Sequence, residues 1–242
     1  MNKKDAGKLR HRPERMLVLL DDSNPQAAYY IGLLFADGYV GYRGRSISLA
    51  LRDYDENILF DLASFVGLPR SAVRVKSSQR QNMRVLTLNS VELVDGLSKF
   101  GICTRKSESG IPCFPCDCKD TLIAFIHGWI DGDGHVKRQC VVSMKTMDQA
   151  VALCKYAKHI GGKGKVSRVG RNNSYFRVVF NKRDNMSFLA SLFNQPISCI
   201  KRKVDAFNIF YRRNQTSRMM DKKPSDNIID SLCSGETQRC PG

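Results

Sequence analysis

The chain has 242 residues and a formal net charge of +16, because 39 Lys and Arg stand against 23 Asp and Glu. Its hydrophobic content of 42% suffices for a packed core and excludes wholesale disorder. A positive excess of this size is typical of proteins that bind nucleic acid, although a surface rich in solubilising lysine has the same charge.

The N-terminal segment and the cysteines bear on the compartment. The first residues are polar and basic, whereas a secretory signal has an apolar core. The longest apolar run, residues 27–36, is too short to cross a bilayer. Nine cysteines in this context are typical of reduced thiols. We therefore expect an intracellular protein of the cytoplasm, nucleoid or an organelle, without a membrane partner.

In chain order, residues 1–23 are a basic N-terminal arm that either contacts phosphate or is a solvated tail. A first repeat is predicted over residues 24–102, where Asn24-Pro25 is a good helix start. After this helix, alternation of apolar and polar residues around 47–52 predicts a strand. The pattern then predicts a helix at 55–68, a hairpin at 72–79 and 82–89, and a helix at 90–100.

Residues 103–118 are predicted to be a linker between two halves of the chain. They contain four cysteines, namely Cys103, Cys113, Cys116 and Cys118. This C-x2-C-x-C grouping either holds zinc or belongs to a linker that happens to be rich in Cys and Pro.

A second repeat is predicted over residues 119–200, followed by a basic C-terminal extension and tail at 201–242. Its elements are a helix ending near 133, strands at 135–138 and 139–146, a helix at 148–160, a hairpin at 163–169 and 174–182, and a helix at 184–193. Each half therefore reads as helix, two strands, helix, two strands, helix. Duplication of a unit of this size predicts a pseudo-twofold monomer.

The helix that opens each half carries the strongest signal. AAYYIGLLFADGYV (Ala27–Val40) aligns with IAFIHGWIDGDGHV (Ile123–Val136) at a shift of 96 positions. Small residues recur every four positions, which predicts one close-packed stripe on each helix; the interface residues are Gly32, Ala36, Gly128 and Gly132. Both helices end in Asp-Gly, where glycine would supply the permissive backbone of a helix exit. Packing the stripes together brings Asp37 and Asp133 side by side, an arrangement that suits divalent cations bound against phosphate.

The two nine-residue segments YIGLLFADG (Tyr30–Gly38) and IHGWIDGDG (Ile126–Gly134) resemble the motif of the LAGLIDADG homing endonucleases. Phe35 and His127 depart from the motif, but the terminal Asp is present in both copies. The resemblance implies an α+β fold, a duplicated αββαββα unit whose two saddle-shaped antiparallel sheets sit astride DNA. It also implies a monomeric, Mg²⁺- or Mn²⁺-dependent endonuclease that cuts both strands of a long target in double-stranded DNA and promotes intron mobility.

The same resemblance implies roles for individual residues. Asp37 and Asp133 would be metal ligands and catalytic. Arg52 and Lys145 occupy matched strand positions, where each would either lie near the attacking water or contact phosphate. Lys182 resembles a lysine that stabilises charge at the cut phosphate, with Arg183 as the alternative if the alignment slips by one.

We expect the DNA base sequence to be recognised by basic and amide side chains on and around the predicted strands. These are Arg43, Arg45, Arg74, Lys76, Gln79, Gln81, Lys137, Lys163, Lys165, Arg168 and Arg177. Two alternatives use the same scaffold: a maturase that binds the RNA of its intron, and a DNA-binding regulator that does not cut. The pair Asp37 and Asp133 favours cleavage, because binding alone does not require paired carboxylates.

Overall fold

A computed structural model describes residues 13–77, 82–115, 117–137, 139–170, 174–181 and 183–220. A short helix α1 (Pro13–Met16) precedes two units with the same order of elements. The first unit comprises α2 (Pro25–Asp37), β1 (Tyr39–Val40), β2 (Ser46–Arg52), α3 (Glu56–Phe65), β3 (Arg74–Ser77), β4 (Asn82–Asn89) and α4 (Val91–Ser98). A four-residue helix, α5 (Lys106–Ser109), follows it.

The second unit repeats the first and is followed by a long helix. It comprises α6 (Lys119–Asp133), β5 (Gly134–Val136), β6 (Cys140–Met144), α7 (Met147–His159), β7 (Gly164–Val169), β8 (Tyr175–Phe180) and α8 (Met186–Phe193), and then α9 (Lys201–Met220). The predicted duplicated αββαββα order is therefore confirmed. None of the helices in these ranges is both long and apolar enough to cross a membrane.

Helix α2 begins where the sequence places a cap. The side chain of Asn24 accepts hydrogen bonds from the backbone N–H groups of Gln26 (2.9 Å) and Ala27 (3.3 Å), and Pro25 fills the first turn. The glycine at each motif-helix end does not adopt a left-handed backbone, since φ is −65° at Gly38 and −96° at Gly134. That expectation was wrong, and the reason is space: an added Cβ at Gly38 would lie 2.4 Å from the carbonyl oxygen of Leu34.

Helices α2 and α6 pack against each other through their small residues. A Cβ added at Gly32 would lie 2.0 Å from the carbonyl oxygen of Phe125, and one at Gly128 would lie 2.0 Å from that of Tyr29. Such distances are impossible for real side chains, so glycine is what allows the two backbones to approach. Nearer the C-terminal end, a Cβ at Gly132 would lie 2.2 Å from Cβ of Ala36.

Each unit forms one four-stranded antiparallel sheet, with strand orders β1-β2-β4-β3 and β5-β6-β8-β7. Burial alternates along the central strands, so that Ile47, Leu49 and Leu51 of β2 face the core. Helices α3 and α4 contact the first sheet, and α7 contacts the second. We call the opposite face of each sheet its open face. It carries the polar and basic residues that alternate with the buried ones along each strand.

The two segments that follow the units each tie the halves together. In the segment after the first unit, the ring of Phe114 stacks on Phe125 of α6 at 4.4 Å between ring centroids. At the start of α9, the guanidinium of Arg202 binds both carboxylate oxygens of Asp55, at 2.9 and 3.1 Å. Phe207 of α9 is buried, so this helix packs on the core at that residue.

Candidate active site at the end of the helix pair

Asp37 and Asp133 are the last residues of α2 and α6, and both side chains reach solvent at the shared end of the pair. Their closeness follows from the small residues beside them, because a Cβ added at Gly132 would lie 3.4 Å from the carboxyl carbon of Asp37. The strands β1 and β5 start immediately after the two carboxylates. The carboxylates therefore lie where each motif helix passes into the first strand of its sheet.

The protein around the carboxylates disfavours two negative charges. The pKa of Asp133 is raised to about 6, first by limited hydration of its carboxyl group and second by the charge of Asp37. The pKa of Asp37 is also raised by limited hydration, and nearby Lys106 and Lys203 partly offset this. Within the described ranges, neither carboxylate forms an ion pair. Two close carboxylates that repel each other and have no ion-pair partner are stabilised by a bound cation.

Lys106 supplies one positive charge at this site. It comes from α5, in the segment between the two units, and its ammonium donates a hydrogen bond to the carbonyl oxygen of Ala36, in the last turn of α2. Its side chain lines a cleft together with Asp133 and Lys145. Partial burial lowers the pKa of Lys106, while the charges of Asp133 and Asp37 act in the opposite direction.

Lys203 supplies a second positive charge, from α9. Its side chain is only 4% exposed, and its ammonium donates to the carbonyl oxygens of Ile130 (2.8 Å), Gly134 (2.7 Å) and Asp131 at the end of α6. The Ile130 carbonyl also accepts the backbone N–H of Gly134, and the lysine adds a charged donor to this group of carbonyls and opposes the negative end of the helix dipole. Burial lowers the pKa of Lys203, and the charge of Asp131 opposes that shift.

The two lysines belong to one repeated pattern that the sequence analysis missed. Arg105-Lys106 and Arg202-Lys203 are 97 positions apart, close to the 96-position shift of the motif helices. Each pair follows the last helix of its unit. The recurrence of the Arg-Lys pair was the available signal, but it fell in the segments that the sequence analysis treated as linker and extension.

The strand register supports the matching of Arg52 with Lys145. Tyr39 on β1 pairs with Ser48, and His135 on β5 pairs with Val141. Because Tyr39 and His135 each lie two residues after a motif carboxylate, Ser48 corresponds to Val141, and the residue four positions later is Arg52 in one unit and Lys145 in the other. The ammonium nitrogen of Lys145 lies 3.8 Å from Oε1 of Glu108. Arg52 is exposed, with its guanidinium carbon 5.8 Å from the ring centre of Tyr54.

Four residues of interest lie outside the described ranges: Lys182, Gln79, Gln81 and Cys116. Their assigned roles remain predictions.

The other linker cysteines, Cys103, Cys113 and Cys118, are free thiols. Among the described residues there is no group of three or more His, Cys, Asp or Glu arranged to hold a metal ion.

The described candidates for DNA binding fall into three places. Arg43 and Arg45 are exposed in the turn between β1 and β2, Lys137 follows β5 and Lys163 precedes β7. Strand pairing places Arg74 and Lys76 on the open face of the first sheet, and Lys165 and Arg177 on that of the second.

Arg168, which is also predicted to bind DNA, lies on the other face of the second sheet. Arg168 pairs with Phe176 across the strands, and its guanidinium carbon lies 5.4 Å from the centre of that ring. Phe176 packs against the core, so Arg168 is on the helix-covered side of the sheet. The cause is strand parity: Arg168 is an odd number of residues from Lys165, and neighbouring residues of a strand face opposite ways.

A buried polar cluster fixes the helix pair near the site. The carboxylate of Asp131 accepts hydrogen bonds from the hydroxyl of Tyr29 on α2 (2.8 Å) and from the backbone N–H of Ile200 (2.9 Å). His127 lies one turn earlier on α6, with Nε2 3.6 Å from the same carboxylate. Burial lowers the pKa of His127 and keeps the ring neutral. Asp131 therefore connects α2, α6 and the segment before α9.

No protein-family model matches the sequence, and no curated protein matches it. Solved structures do resemble the fold. A structure of I-DmoI in complex with DNA and Ca has a TM-score of 0.54 at 12% identity, covering 76% of this chain and 97% of that one. Mesophilic variants of the homing endonuclease I-DmoI have a TM-score of 0.52 at 12% identity, covering 71% of this chain and 92% of theirs. Full-length DUF199/WhiA from Thermatoga maritima has a TM-score of 0.49 at 12% identity, covering 88% of this chain and 72% of that one.

Proposed function

Because this chain has the duplicated LAGLIDADG fold, we propose that it is a divalent-metal-dependent DNA endonuclease that cuts both strands of a long, asymmetric target. The observation that carries the proposal is the pair Asp37 and Asp133, exposed at the shared end of α2 and α6 and without an ion-pair partner among the described residues. From the likeness in fold to a homing endonuclease, we further propose that the cut promotes mobility of the intron that encodes the chain.

The donor set fits a hard divalent cation. Mg²⁺ is commonly held by one or two carboxylates, with the remaining ligands from substrate phosphates and water. Asp37 and Asp133 would hold Mg²⁺ or Mn²⁺, and the cation would offset both limited hydration and the charge of Asp37, which together raise the pKa of Asp133 to about 6. When bound, such a cation polarises the phosphate and lowers the pKa of a bound water.

The chain's own residues perform the rest. The open faces bind the duplex through four exposed residues, Arg74, Lys76, Lys165 and Arg177. Lys106 and Lys203 hold the ends of α2 and α6 in place through the backbone carbonyls. Their positive charges lie beside the carboxylates, where they would stabilise the negative charge that develops on the phosphate during cleavage.

The decisive experiment is a cleavage selection. The protein is incubated with Mg²⁺ and a pool of duplexes that carry a long randomised segment, and the ends of any broken molecules are sequenced. We expect paired breaks on both strands with short 3′ overhangs. The Asp37→Asn/Asp133→Asn double variant should yield none, and Asp95→Asn, at an exposed position on α4, should match the unmodified protein.

The same pool of duplexes, together with a pool of structured RNA, separates the alternatives. Enrichment of bound but uncut duplexes would identify a DNA-binding regulator and overturn the endonuclease proposal. Preferential binding of a structured RNA pool, with no cleavage of DNA, would instead identify a maturase.

A further inference from the structure

The open faces of the two sheets share one register but carry different side chains at one matched position. Ser48 corresponds to Val141, and their partners on the next strand are Thr87 and Val179. Counting two residues back along β4 and β8, Val85 of the first sheet corresponds to Arg177 of the second. Both point to the open face, since they share the parity of Thr87 and Val179.

The neighbours of the two residues differ as well. Val85 lies between Ala50 on β2 and Arg74 on β3. Arg177 lies between Ser143 on β6 and Ser167 on β7. At this matched row, the first sheet thus has its positive charge on the edge strand, in Arg74, whereas the second has a guanidinium on an inner strand between two short hydroxyl side chains.

Arg177 is also available for a ligand, unlike the arginine on the inner strand β4 of the first sheet. Arg84, on the inner strand of the first sheet, forms an ion pair with Glu56 of α3 at 2.7 Å. Arg177 is exposed and forms no ion pair with any residue that the structure describes. Its guanidinium carbon lies 5.8 Å from the centre of the Tyr175 ring, an arrangement that restricts the side chain.

We propose that Arg177 is a sequence-determining residue that reads a guanine in the half of the target bound by the second sheet. This inference rests on the proposed function, which places DNA against the open faces. A guanidinium in the major groove can donate two hydrogen bonds to O6 and N7 of guanine, a pattern that no other base presents. Val85 has no donor, so the matched base pair of the other half-site is not selected for guanine by this position, and the target is asymmetric there.

The test measures binding rather than cleavage. The full chain is mixed, in Ca²⁺, with the pool of randomised duplexes, and bound molecules are sequenced for the unmodified protein, Arg177→Val, Val85→Arg and the control Lys155→Met. Lys155 is an exposed residue of α7. Loss of a bidentate contact should reduce the preference for guanine at one position by on the order of tenfold to a hundredfold, with other positions unchanged.

The outcomes separate the inference from the proposed function. Arg177→Val should lose guanine at one base pair, and Val85→Arg should gain guanine at the matched pair of the other half-site. If Arg177→Val weakens binding to all sequences equally, the residue contacts phosphate only and the inference fails, whether or not the protein cuts DNA. If the protein never cuts DNA in Mg²⁺ but Arg177→Val still loses guanine, the endonuclease proposal fails and the inference stands.

Discussion

The two halves place a lysine at the end of each motif helix, but they secure it differently. Lys106 lies on a four-residue helix, is half-buried and bonds one carbonyl, that of Ala36. Lys203 lies on a helix of 20 residues, is 4% exposed and bonds three carbonyls.

The difference shows that one repeated residue can be under two kinds of constraint. The long helix behind Lys203 is anchored by buried Phe207 and by the Arg202–Asp55 ion pair, so this lysine contributes to folding as well as to the site. Lys106 lines the cleft beside Asp133 and has fewer bonds, so most of its contribution is expected at the site itself.

The largest expected effect is a loss of cleavage that is the same for a change in either half. Asp37→Asn and Asp133→Asn should each abolish double-strand cleavage, because a carboxamide binds a divalent cation far more weakly than a carboxylate does. Binding to DNA should persist or strengthen, since negative charge beside phosphate is removed. Cleavage and binding of a selected duplex measure both properties, and normal double-strand cutting by either variant would remove these residues from the active site.

The second prediction tests the comparison of the lysines. Lys106→Met and Lys203→Met should each slow single-turnover cleavage by ~10² or more, because a cation that stabilises developing charge is lost. Lys203→Met should also lower the free energy of unfolding by about 1–3 kcal/mol, since buried carbonyls lose their donor. Lys106→Met should leave the melting temperature nearly unchanged.

The control for both lysine variants is Lys155→Met, which removes an exposed charge from α7. Labelling each strand of the duplex separately adds information, because unequal slowing would show which lysine serves which cut. Equal loss of stability in the two lysine variants would contradict the difference described above.

The third prediction returns to a feature that the halves share. Gly32→Leu and Gly128→Leu should each destabilise the fold by about 1–3 kcal/mol or more, because the added side chain meets backbone of the facing helix. Thermal unfolding should show a fall of about 2–4 °C per kcal/mol for a chain of this size. Lys155→Leu, at an exposed helical position, is the control. An unchanged melting temperature in both glycine variants would exclude close contact of the helices there.

The smallest effect concerns pH. The folded-state pKa of Asp133 is raised to about 6, so the folded chain binds more protons than the unfolded chain between the ordinary Asp value and that pKa. The charged form of Asp133 therefore lowers the free energy of unfolding above about pH 6, and this loss of stability is relieved as the pH falls through 6. In a chelator, Asp133→Asn should be slightly more stable than the unmodified protein at pH 8, with a smaller difference at pH 5. Melting temperatures at the two pH values test this, and a larger advantage at pH 5 would contradict it.

The sequence alone determined the duplication, the order of elements and the pairing of the two carboxylates. Small residues at a spacing of four, including Gly32 and Gly128, are a local pattern with one physical consequence, namely close helix contact. The alternation in β2 and β6 likewise follows from a period that every strand obeys.

Only the tertiary structure decided which cations reach the carboxylates and which arginines face outward. Lys106 and Lys203 are each about 70 residues beyond the helix they contact, and no local period connects residues at that separation. Arg168 and Arg177 look alike in the sequence, yet strand parity turns the first toward Phe176 and the second toward the open face. Periodic patterns record local geometry, whereas contacts between distant segments depend on how the whole chain packs.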